Sequence, residues 1–161
     1  MFKAIINGKY RGLDGGKLKA DFASWSEIYT GAEDFETAAI FTRLSYLPSE
    51  YFWNILLSSF KPQSGQLPEM IGNLQSITFW PRYDDPSDSG VWVEPDVLLR
   101  FDELDLIVEV KRGDGGNLQT AWQLLREWRA VHASDEGFDP QRTWMLSLGG
   151  LFDGYASTLF A

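Results

Sequence analysis

Asp96, Glu109 and Lys111 are the residues of this chain whose types and spacing most directly carry chemistry. Two carboxylates brought together can hold a hard divalent cation. Mg²⁺ accepts one or two protein carboxylates, keeps several waters and leaves positions for phosphate oxygens. A bound ion of this kind acidifies a water and offsets charge on a phosphodiester in transition, while a neighbouring lysine orients that water or stabilises the added charge. Metal-assisted phosphodiester hydrolysis is therefore the reaction that this set of side chains suits.

The elements that must position them are legible locally. Val97-Leu98-Leu99-Arg100-Phe101 and Leu106-Ile107-Val108-Glu109-Val110 are short, branched, mostly apolar runs separated by Asp102-Glu103-Leu104-Asp105, which reads as a hairpin. Alternation along the second strand sends Ile107, Glu109 and Lys111 to one face and Leu106, Val108 and Val110 to the other. The antiparallel return folds the start of the first strand onto the end of the second, bringing Asp96 near Glu109. Pro95 suits the strand start, where its missing N–H loses no ladder bond. A solvated hairpin face is the competing account of Glu109 and Lys111. Apolar residues on both faces of the second strand argue instead for a central strand, in which an unpaired Glu109 would be costly.

Pro95-Asp96, twelve intervening residues and Glu109-Val110-Lys111 resemble the signature of the PD-(D/E)XK nuclease superfamily. The resemblance covers roughly residues 34–148 and extends to Glu36 on a preceding acidic helix and Gln123 on the helix after the lysine. The segments Glu36 to Pro48 and Gln123 to Trp128 also resemble those of uncharacterised bacterial members. It implies an α/β domain with a restriction endonuclease-like core, a central mixed β-sheet flanked by α-helices. It also implies a Mg²⁺-dependent endonuclease acting on DNA, with Mn²⁺ able to substitute, in restriction, repair or antiviral defence. In that assignment Asp96 and Glu109 hold the metal, the Val110 carbonyl joins them, Lys111 assists the nucleophile, and Glu36 and Gln123 support. A catalytically inactive module of the same fold, binding a protein partner within a larger complex, is the alternative.

Composition bounds these readings. A chain of 161 residues with seven Trp, eleven Phe and six Tyr is expected to form one domain around one core, with residues 1–32 as an N-terminal arm or hairpin. Zero cysteines exclude disulfides, thiol catalysis and cysteine-based zinc sites, and the single His132 excludes multi-histidine metal sites. No apolar run reaches the length of a membrane span, and the N-terminus lacks a signal-peptide pattern, so a cytoplasmic protein of a bacterium is expected. The net charge of −9 opposes binding to a polyanion. A local cluster of Arg100, Lys111, Arg112, Arg126 and Arg129 offsets it in part. The expectation is weak autonomous DNA binding, completed by a protein partner or a homo-oligomer.

The rest of the chain supplies the remaining elements. Phe2 to Ile6 reads as a short strand. Asp34 can cap a helix to about Tyr46, stopped by Pro48; Glu36 in its first turn is either a metal-supporting residue or an ordinary acid favoured by the helix dipole. Glu50 to Phe60 reads as a second helix and Leu74 to Trp80 as a strand, while Asp84, Asp85 and Asp88 read as an acidic surface loop without EF-hand spacing. Asn117 can cap a helix to about His132, on which Gln119, Gln123 and Glu127 share a polar face while Trp122, Leu125 and Trp128 cover core. Thr143 to Leu148 reads as a strand reached by a parallel crossover.

Overall fold

A computed structural model describes residues 2–7, 13–14, 17–18, 33–59, 68–111 and 119–149. The chain divides into two compact units, Met1–Leu44 and Ser45–Ala161. In the first, α1 spans Phe2–Ile6, β1 spans Leu13–Asp14, β2 spans Lys17–Leu18 and α2 spans Glu33–Leu44. The two short strands pair antiparallel, Leu13 opposite Leu18 and Asp14 opposite Lys17. Phe2–Ile6 is a helical turn, not the strand its branched residues predict. Five residues, four of them apolar, carry no decisive period. Here the Asn7 amide closes onto the Lys3 carbonyl at 3.1 Å and its side chain bonds the same oxygen at 2.8 Å. Helix α2 opens with Glu33, Asp34 and Glu36, which suit the positive end of its dipole, and buries Phe35, Thr37, Ala38 and Phe41.

The second unit is mixed α/β. Helix α3 covers Ser49–Ser59 and buries Phe52, Trp53 and Leu56. Four strands follow in one sheet: β3 (Leu74–Phe79), β6 (Val97–Phe101), β7 (Asp105–Val110) and β8 (Thr143–Leu148), in spatial order β3-β6-β7-β8. The first three form an antiparallel meander, and β8 lies parallel to β7 with Glu109 opposite Ser147. A parallel neighbour requires a crossover. Helix α4, Ala121–Ala133, provides it. Between β3 and β6, the two-residue strands β4 (Tyr83–Asp84) and β5 (Trp92–Val93) make a separate antiparallel ribbon.

Burial explains the placement of β7. Leu106, Ile107 and Val108 are all at most 2% exposed, as expected of a strand paired on both edges and covered on both faces. One covering layer is explicit: Ile107 and Leu98 pack with Ala130 and Val131 of α4 and with Tyr83 and Val93 of the small ribbon. The face carrying Ile107 is the face carrying Glu109, so α4 lies over both. No helix among the described residues is long and apolar enough to cross a membrane.

Candidate active site

The hairpin of β6 and β7 sets the geometry. Val97 pairs with Val108, so one step further out Asp96 comes level with Glu109, although thirteen positions separate them. The Val110 amide donates to Asp96 Oδ2 at 2.8 Å. Asp96 is itself held from the other side, where the Trp80 amide donates to its carbonyl at 3.0 Å. Trp80 does so with a φ of 49°, a left-handed backbone rare for an aromatic residue and a store of local strain beside the site.

Glu109 is 2% exposed, which removes the solvated-face account of this strand. Its Oε1 accepts from Lys111 Nζ at 2.6 Å and from Gln123 Nε2 at 2.5 Å. Lys111 Nζ also reaches the Val110 carbonyl, the oxygen expected to join a metal, at 3.3 Å. Burial raises the Glu109 carboxyl above its ordinary range and the nearby Glu127 charge adds to that, while Lys111 and Gln123 oppose it.

Helix α4 supplies the roof. Thr120 caps it by accepting from the Gln123 amide at 3.1 Å, which starts the helix later than Asn117 would; Asn117 lies outside the described residues. Gln119 therefore precedes the helix. It bonds the Glu109 carbonyl at 2.9 Å and the Leu148 carbonyl at 3.4 Å, and Ser147 Oγ donates to its Oε1, tying together the ends of β7 and β8. The buried face of α4 runs through Leu124, Glu127, Ala130 and Val131, while Trp122 is 60% exposed. Helical periodicity assigns Trp122 to core. The polar face is buried instead because Glu109 and Lys111 lie beneath it.

Glu127 is the residue that sequence reasoning left on a polar helix face. It is 3% exposed, and its Oε1 accepts from Gln123 Nε2 at 3.0 Å. A single amide nitrogen thus spans the carboxylates of Glu109 and Glu127. Burial pushes Glu127 up to about 7, with Gln123 opposing the rise, Asp96 adding to it and Lys111 and Arg126 lowering it. The available sequence signal was its spacing of four from Gln123, which places both on one helix face.

The other expected residues are distributed differently. Glu36 is exposed in the first turn of α2, in the first unit. Asp85 is a buried residue rather than a loop surface: it accepts from the Ser87 amide at 2.8 Å and pairs with Arg126 at 2.7 Å. Arg100 pairs with Asp105 at 3.4 Å, at the turn end of the hairpin away from Asp96. With Lys111 on Glu109, three members of the expected basic cluster are therefore engaged in internal ion pairs, and Arg112 lies outside the described residues. Among the described residues, no three side chains of His, Cys, Asp or Glu form a group that could hold a metal ion.

Comparison with curated proteins finds an uncharacterized protein of Pasteurella multocida (strain Pm70), PM0110, 35% identical over 158 residues. The match covers 96% of this chain and 55% of the relative, so the chain spans about half the length of the curated relative it matches. No family model matches, and no solved structure does.

Proposed function

We propose that the protein is a Mg²⁺-dependent nuclease of the PD-(D/E)XK type, hydrolysing phosphodiester bonds in DNA. The observation that carries this reading is the convergence of Asp96, Glu109, Lys111 and Gln123 at one end of the central hairpin. The order of a helix, three antiparallel strands, a helix and a parallel strand in the second unit supports a restriction endonuclease-like core.

The donor set fits a hard cation. Two carboxylates from adjacent strands, both at most 8% exposed, suit an ion that takes one or two protein carboxylates and fills its other positions with water and phosphate oxygens. Such an ion supplies Lewis acidity at the phosphodiester and an acidified water. Asp96 and Glu109 hold it. Lys111 then turns its ammonium toward the charge that develops on the phosphate, and Gln123 fixes the Glu109 carboxylate from above. The rigid hairpin and the Val110–Asp96 bond keep both carboxylates aimed without rearrangement.

The second reading, an inactive module of this fold that binds a protein partner, is favoured by the net charge of −9 and by the internal pairing of Arg100 and Arg126. Calorimetric titration with Mn²⁺, followed by plasmid cleavage, separates the two. The nuclease gives saturable binding and nicking that Asp96→Asn removes. Absence of saturable binding by the wild type overturns the nuclease reading and leaves the module.

A further inference from the structure

Glu127 brings a third carboxylate to the end of the hairpin, and its surroundings are incompletely satisfied. One oxygen, Oε1, accepts from Gln123. The other, Oε2, is fully buried and has no hydrogen-bond partner within the described protein. A buried carboxylate oxygen without a donor is costly, so a native site that retains one points to a donor supplied by something bound. Asp96 and Lys111 both act on Glu127 electrostatically, which places it over the same site rather than on a separate face of α4.

Charge gives the same direction. When ionised, Asp96, Glu109 and Glu127 carry three negative charges against the single ammonium of Lys111. The excess of two is what one divalent cation neutralises. The three carboxylates do not converge as a ready ligand group among the described residues, so a link from Glu127 to an ion would run through a water and not by direct coordination. Mg²⁺ keeps several of its waters, and each is a strong donor toward an anionic oxygen.

We propose that Glu127 is a positioning residue of the cation site, with Oε2 accepting a hydrogen bond from water on the ion that Asp96 and Glu109 hold. This rests on the cation reading above and adds a residue outside the Asp-Glu-Lys set. Its role differs from that of an anchor for Gln123. Oε1 alone performs the anchoring, whereas Oε2 faces the water.

Glu127→Gln separates those two roles, because glutamine keeps an oxygen for Gln123 and replaces the free acceptor with a donor. Mn²⁺ affinity measured by calorimetry on the full chain is expected to fall about tenfold or more, the range seen on losing a group that orients a ligand or bound water. Glu127→Asp retains charge but shortens the reach, and a smaller loss of several-fold is expected; it also serves if the glutamine variant does not fold. Wild-type Mn²⁺ affinity in either folded variant, alongside loss of binding in Asp96→Asn, overturns the role of Glu127 and leaves the nuclease reading standing. No saturable Mn²⁺ binding by the wild type overturns both.

Discussion

Asp96 accepts a hydrogen bond from the backbone amide of Val110 at 2.8 Å, across the hairpin that separates them in sequence. The bond makes Asp96 part of the sheet as well as part of the site. One carboxylate oxygen extends the β6–β7 ladder beyond its last paired residues, and the residue before Val110 is Glu109. Removing Asp96 therefore has two separable consequences.

Asp96→Ala leaves the Val110 N–H without its acceptor, which is expected to lower stability by about 1–3 kcal/mol. Asp96→Asn keeps an acceptor oxygen and is expected to melt close to the wild type. Both should lose Mn²⁺ binding and cleavage. Equal melting of the alanine and asparagine variants would show that the Val110 bond contributes nothing.

Lys111→Arg keeps the charge and replaces a compact ammonium by a broad planar group that cannot occupy the position 2.6 Å from Glu109 and 3.3 Å from the Val110 carbonyl in the same way. Metal binding is expected to persist while cleavage falls roughly a hundredfold, the scale of one placed transition-state stabiliser. Single-turnover cleavage at saturating Mn²⁺ measures it. A wild-type rate would remove Lys111 from the mechanism.

Glu127 gives the metal-free protein a pH dependence of definite sign. Its folded pKa, about 7, lies above the ordinary 4.5, so between those pH values the folded protein holds a proton that the unfolded chain has released. Unfolding then sheds protons, and stability is full below about pH 4.5 and declines as pH rises toward 7 and beyond. The decline attributable to Glu127 is on the order of 3 kcal/mol. Urea unfolding in chelator across this range should show the wild-type curve falling relative to Glu127→Gln. Parallel curves would mean that Glu127 does not titrate in this window.

Gly149 passes so close to Lys111 that a Cβ would run into the Lys111 carbonyl oxygen, and its φ of 68° is one that only glycine adopts freely. Gly149→Ala is expected to destabilise by about 1–3 kcal/mol and to loosen the 2.8 Å bond from the Lys111 amide to the Leu148 carbonyl. Hydrogen exchange at the Lys111 amide reads this directly. Unchanged protection would show that the strand end shifts without strain.

The sequence by itself determined the hairpin, its register and the strand at Thr143–Leu148. Branched apolar runs of alternating face, bounded by turn residues, have one economical pairing, and a one-residue slip would carry Ile107 and Glu109 to the opposite face. That pairing alone brings Asp96 level with Glu109. The helix bounded by Pro48 was legible too, ending at Leu44, although it begins at Glu33, so that Asp34 lies within its first turn and does not cap it. Tertiary structure decided what local pattern could not. Phe2–Ile6 is too short for its period to distinguish helix from strand. On α4 Trp128 packs against the core as its spacing predicts, but Trp122 points outward and Glu127 inward, because β7 has placed Glu109 beneath the helix and the hydrogen bonds of Gln123 to Glu109 and Glu127 compensate for burying both acids. The pairing of Arg126 with Asp85 joins residues forty-one positions apart and has no local signature. Side-chain alternation is a property of neighbours along the chain; which face becomes interior depends on what another element presents to it.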